Sequence, residues 1–112
     1  MKPIVFALLL ATLPACHASA EPRVVHIDAK KFSFSPARIE LKKGELVVLE
    51  LASLDREHGF DVPELDLNAS IHPGSPTHIP FTPTRAGTFL FHCDVFCGSG
   101  HEEMEGEIVV HE

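Results

Sequence analysis

The sequence predicts a small all-β protein built as a two-sheet sandwich, on three observations. Short runs of β-branched and aromatic residues recur along the chain, several alternating apolar with polar, the period of a half-buried strand. Pro and Gly punctuate them at Pro63, Pro73-Gly74, Pro83 and Gly87. No window carries a long 3.6-residue apolar period, and nine prolines spread along the chain disfavour helices.

Val24-Val25-His26-Ile27-Asp28 opens the set, rich in β-branched residues. Phe32-Ser33-Phe34 and Ile39-Glu40-Leu41 alternate, so each presents one apolar face. Lys42-Lys43-Gly44 turns the chain into Glu45-Leu46-Val47-Val48-Leu49-Glu50-Leu51, the most apolar strand candidate. Thr77-His78-Ile79-Pro80-Phe81-Thr82, Thr88-Phe89-Leu90-Phe91-His92 and Glu107-Ile108-Val109-Val110 complete seven predicted strands. Residues 21–112 read as one domain, with no internal repeat or linker.

The 112 residues carry 9 Lys+Arg against 16 Asp+Glu, a formal net charge of −7. That balance excludes a nucleic-acid binder, which needs surplus cations for phosphate, and favours cationic partners or metal ions. The chain has neither Trp nor Tyr, so its aromatic core falls to eight Phe.

Residues 1–20 read as an export signal. Lys2 precedes the apolar stretch Ile4–Leu13, which is too short to span a bilayer core of about 30 Å. Ala18-Ser19-Ala20 offers the small residues a signal peptidase reads, for a mature start at Glu21 and a periplasmic location. A second reading is a lipoprotein: Leu13-Pro14-Ala15-Cys16 has the Leu, Ala and Cys of a lipobox, and only lipidation at Cys16 would place the chain on a membrane. Either way two cysteines remain for the domain, Cys93 and Cys97, in an oxidising compartment.

The chemistry concentrates in His92-Cys93-Asp94-Val95-Phe96-Cys97-Gly98-Ser99-Gly100-His101-Glu102-Glu103-Met104, between the last two predicted strands. Two thiols, an imidazole and a thioether follow the spacing Cys-x3-Cys-x3-His-x2-Met. All four are soft or borderline donors, the set that prefers copper among biological metals. Gly98 and Gly100 allow a tight loop on which successive side chains converge. His58, after the strong strand and before Gly59-Phe60, is a fifth candidate.

Three further readings of these residues stay open. Cys93 and Cys97 could form a disulfide, which leaves His58, His101 and Met104 unexplained. Two Cys and two His would close a tetrahedral zinc site, which has no use for Met104. Met104 taken alone is core filler. His92 precedes Cys93, so strand alternation points it to the opposite face. His26, His72, His78 and His111 read as solvated or hydrogen-bonded histidines. Glu102, Glu103, Glu105 and Glu107 read as a solvated face, and in the functional reading as a dock for a basic redox partner.

The loop resembles the binuclear copper (CuA) domain of cytochrome oxidase subunit II and of nitrous oxide reductase. Phe32-Ser33-Phe34-Ser35-Pro36-Ala37-Arg38-Ile39-Glu40-Leu41-Lys42-Lys43-Gly44 looks like the opening of many cupredoxins, and His58–Leu65 like the segment bearing the first His ligand. Pro73-Gly74 and Phe81–Phe89 match later strands. The resemblance implies a cupredoxin-like Greek-key β-sandwich. It implies two copper ions per chain, bridged by the sulfurs of Cys93 and Cys97, with His58 and His101 each on one copper. Met104 and the Val95 carbonyl would be weak ligands. Val95 stands where subunit II usually has a Glu that helps hold magnesium, so that second metal is not expected.

The function implied is non-catalytic electron transfer, with a c-type cytochrome or a terminal oxidase or reductase as partner. Two alternatives use the same ligands: a periplasmic copper carrier, and an electron-entry subunit of a terminal oxidase.

Overall fold

The computed structural model describes residues 3–5, 7, 21–95 and 101–112. Nine strands run in order among them: β1 (Arg23–Lys30), β2 (Ser33–Ser35), β3 (Arg38–Lys42), β4 (Val47–Ser53), β5 (His58–Val62), β6 (Leu67–Ile71), β7 (Thr77–Phe81), β8 (Gly87–His92) and β9 (Glu105–His111). They form two sheets, β2-β1-β4-β7 and β3-β9-β8-β5-β6. The β1–β4 and β3–β9 pairs are parallel and the others antiparallel, so both sheets are mixed. The all-β sandwich predicted from alternation is the observed fold.

Alternation decides which residues meet between the sheets. Val47, Leu49 and Leu51 of β4 and Ile27 of β1 point inward from one sheet. Ile39 and Leu41 of β3, Phe91 of β8, and Ile108 and Val110 of β9 point inward from the other. Each such side chain stabilises the fold by about 1.5–3 kcal/mol through apolar burial. Phe34 of β2 crosses the gap, its ring edge-on to Phe60 at 6.1 Å and to Phe91 at 5.1 Å. Phe60 and Phe91 lie 4.9 Å apart. This trio ties the sheets together next to the strands that carry the candidate ligands. Gly106 makes room for it, because a Cβ there would run into the Phe91 ring and the Ala37 carbonyl.

Two strands go beyond the sequence reading. His58–Val62 and Leu67–Ile71 pair with each other, and β5 also meets β8 with Asp61 opposite His92. Gly, Asp and Asn lower their intrinsic strand preference, and pairing inside the five-stranded sheet overrides it. The other strands agree with the predicted runs to within a few residues. Outside the strands, the described residues include two short 3-10 turns, Pro63–Leu65 and His101–Glu103. No helix among the described residues is long and apolar enough to cross a membrane. The export signal and Cys16 lie almost wholly outside the described residues.

Candidate metal centre

His58 is the first residue of β5 and is fully buried, the one buried polar or charged side chain in the core of the described residues. Its Nε2 lies 2.6 Å from Oδ1 of Asp55, in the short connection from β4. A carboxylate only accepts, so Nε2 carries the proton, and in the neutral ring Nδ1 keeps the lone pair. That Nδ1 is buried with no hydrogen-bond partner among the described residues. An unsatisfied buried nitrogen costs about 1–3 kcal/mol unless something binds it.

Asp55 is itself held in place. The Lys31 backbone N–H donates to its Oδ2 at 2.8 Å and the Arg56 N–H to its Oδ1 at 2.6 Å. Partial burial pushes its carboxyl up, but these bonds, together with the His58 ring, outweigh burial and bring it down to about 2. Asp55 is therefore a fixed anion that orients His58.

Cys93 follows β8 and is 2% exposed. The Gly59 N–H donates to its Sγ at 3.3 Å, so the residue beside His58 touches the thiol. The thiol in turn donates to the Val95 carbonyl at 3.1 Å. The Cys93 N–H donates to the Met104 carbonyl at 3.1 Å, and the Met104 side chain is fully buried just ahead of β9. Four of the six sequence candidates are thus linked around the ends of β5, β8 and β9. Of the other two, His101 opens the 3-10 turn that leads to Met104, and Cys97 lies outside the described residues.

A polar network backs this cluster. Asn68 Nδ2 donates to Asp61 Oδ1 at 3.2 Å and to Asp94 Oδ2 at 2.5 Å. The Asp94 carboxylate lies where a Cβ on residue 59 would stand, so any larger residue there would have to displace it. His92 points away from Cys93, as alternation predicts, and pairs with Asp61 at 3.4 Å. A surface cavity of about 320 Å³ opens beside Cys93, walled by Leu90, Phe91, His92, Glu102 and Glu105. Glu102, Glu103 and Glu105 are exposed, whereas Glu107 is half-buried and paired with Arg38 at 3.2 Å.

Sequence reasoning missed Asp55, Gly59 and Asn68. Asp55 stands three residues before His58, a spacing common in ordinary loops, and its role follows from the loop's fold. Among the described residues no three His, Cys, Asp or Glu side chains form a ready metal cluster. The donors that are described still suit copper: a buried imidazole nitrogen without a partner, a thiol, a thioether and a backbone carbonyl.

A family model for the cupredoxin-like domain matches residues 3–110. The chain belongs to the cupredoxin-like domain family. This cupredoxin domain is homologous to the copper domains of cytochrome c oxidase subunit II and nitrous-oxide reductase. It is 35% identical over 88 residues to cytochrome c oxidase subunit 2 of Thermus thermophilus, covering 79% of this chain and 65% of that protein. It is 32% identical over 90 residues to nitrous-oxide reductase of Ralstonia nicotianae, covering 77% of this chain and 14% of that one. The cupredoxin domain thus spans less than two thirds of either relative. Among solved structures, the periplasmic domain of subunit II of cytochrome oxidase of Bradyrhizobium japonicum superposes with a TM-score of 0.73. That match has 16% identity and covers 80% of this chain and 84% of that one, a likeness of fold.

Proposed function

We propose that this cupredoxin domain is an exported, copper-binding electron-transfer protein with a binuclear CuA-type centre. His58, Cys93, Cys97 and His101 would be its main ligands, with Met104 and the Val95 carbonyl as weak ones. The observation that carries the reading is the buried Nδ1 of His58, without a partner among the described residues, its opposite nitrogen fixed by Asp55. Histidine ligands to metals typically have this arrangement, the far ring N–H given to a carboxylate. The 35% identity to an oxidase subunit 2 supports the same reading.

When bound, the two copper ions would supply one-electron transfer, the transferred charge shared over both. This chain's residues set the conditions for it. Asp55 holds the His58 ring in one tautomer and orientation. Gly59 in β5 holds the Cys93 sulfur, and Met104, just ahead of β9, holds its backbone. The sandwich beneath fixes these anchors, which opposes rearrangement between oxidation states. Thiols must lose their protons to bind copper, and copper binding drives that loss.

The domain would work in the periplasm after removal of residues 1–20, exchanging electrons with a c-type cytochrome or a terminal oxidase or reductase. Glu102 and Glu105 in the wall of the cavity at Cys93, with the exposed Glu103 between them in sequence, would meet a basic partner there. Metal analysis of the copper-loaded protein, after a chelator wash that strips surface-bound ions, tests the proposal: two coppers retained per chain support it, and one contradicts it.

A further inference from the structure

The four-stranded sheet carries a second group of donors on its outer face. Its register places His26 of β1 beside Glu50 of β4, and Glu50 beside His78 of β7, in one row across three hydrogen-bonded strands. Their neighbours Ile27, Leu49 and Leu51 point into the core. Alternation therefore turns the row outward, with both rings exposed and Glu50 half-buried between them. His26 Nδ1 lies 3.4 Å from one oxygen of Glu50, and His78 Nε2 lies 3.3 Å from the other.

We propose that His26, Glu50 and His78 form a surface site for a borderline divalent metal cation of the zinc or copper(II) class, separate from the centre at Cys93. Two imidazoles and one carboxylate are a donor set such ions take, with open positions left to water. The strands fix the three backbones about 4.8 Å apart in sequence across the sheet. The exposed rings are free to turn, so an ion sitting on the carboxylate draws each ring nitrogen from hydrogen-bond distance to about 2.0–2.1 Å. As placed, Glu50 pairs with each ring and the three groups do not close on a point, which is why they form no ready metal cluster, so the ion would select the converging rotamers.

An ordinary exposed ion pair would be the plainer account, and it fits the remaining pairs. His72 with Glu57, His92 with Asp61, and His111 with Glu40 each set one imidazole against a carboxylate. Glu50 has one on either side. Val24, Val48 and Pro80 flank the row on one side and Asp28 and Ala52 on the other, so Asp28 is the one further charge in the adjoining rows.

The test uses the copper-loaded, reduced protein, labelled with 15N and titrated with Zn(II) while the histidine ring nitrogens are followed by NMR. The expected result is that the His26 and His78 resonances move together and saturate at one equivalent of Zn(II), with His72 and His111 unmoved. His26→Asn or Glu50→Gln should weaken binding at least tenfold, and the double variant His26→Asn/His78→Asn should abolish it, while His111→Asn leaves it unchanged. Equal shifts at all surface histidines, no saturable shift, or affinity unaltered in the His26 and Glu50 variants would overturn the proposal.

Discussion

Asp55 Oδ1 lies 2.6 Å from Nε2 of His58, and this contact determines which nitrogen of a buried ring carries the proton and which keeps its lone pair. The carboxylate accepts a hydrogen bond from Nε2–H and leaves Nδ1 as a buried acceptor with no partner among the described residues. A loop residue thereby fixes the chemistry of the first residue of β5.

Replacing Asp55 should weaken metal binding without removing a ligand. Asp55→Ala is expected to lower copper affinity about 10–100-fold, the usual effect of losing a partner behind a histidine ligand. Competition with a copper chelator measures it. Affinity equal to that of the unaltered protein would show that the contact does not orient His58.

Gly59 and Asn68 should behave as one unit through Asp94. A Cβ at residue 59 displaces the Asp94 carboxylate and with it the Asn68 bond. Gly59→Ala and Asn68→Ala are each expected to cost about 1 kcal/mol, and the double variant less than the sum. Urea unfolding of the three variants checks this, and strict additivity would dissociate the two residues.

Gly106→Ala should be more damaging, because one of the atoms it meets is the Ala37 backbone carbonyl, which cannot swing aside. Overpacking of this kind costs about 1–3 kcal/mol. The same unfolding experiment reads it, with His92→Gln, an exposed side chain, as a reference expected within about 0.5 kcal/mol of the unaltered protein.

The fold was largely legible because seven strands announce themselves by alternation or by β-branched residues. β5 and β6 did not, since His58-Gly59-Phe60-Asp61-Val62 and Leu67-Asn68-Ala69-Ser70-Ile71 become strands through their partners in the sheet. The opposed directions of His92 and Cys93 agree with the sequence reading, and the burial of Met104 fits its reading as core filler. Asp55 was illegible because a carboxylate's partner depends on how residues 53–57 fold, and no spacing rule encodes that. The row His26-Glu50-His78 was hidden for a related reason: it exists only once the register of β1, β4 and β7 is known.

Processing of residues 1–20 bears on where the domain works. The mass of the protein recovered from its native host should match a chain starting at Glu21. A mass carrying acyl groups at Cys16 would instead place the domain on a membrane surface.

Electron paramagnetic resonance of the copper-loaded, partly oxidised protein tests the proposed binuclear copper centre most directly. One unpaired electron shared by two copper nuclei should give a seven-line pattern and a purple colour. Cys97→Ser should reduce the pattern to four lines. A four-line spectrum from the unaltered protein would contradict the account, because it would mean a single copper at His58 and Cys93.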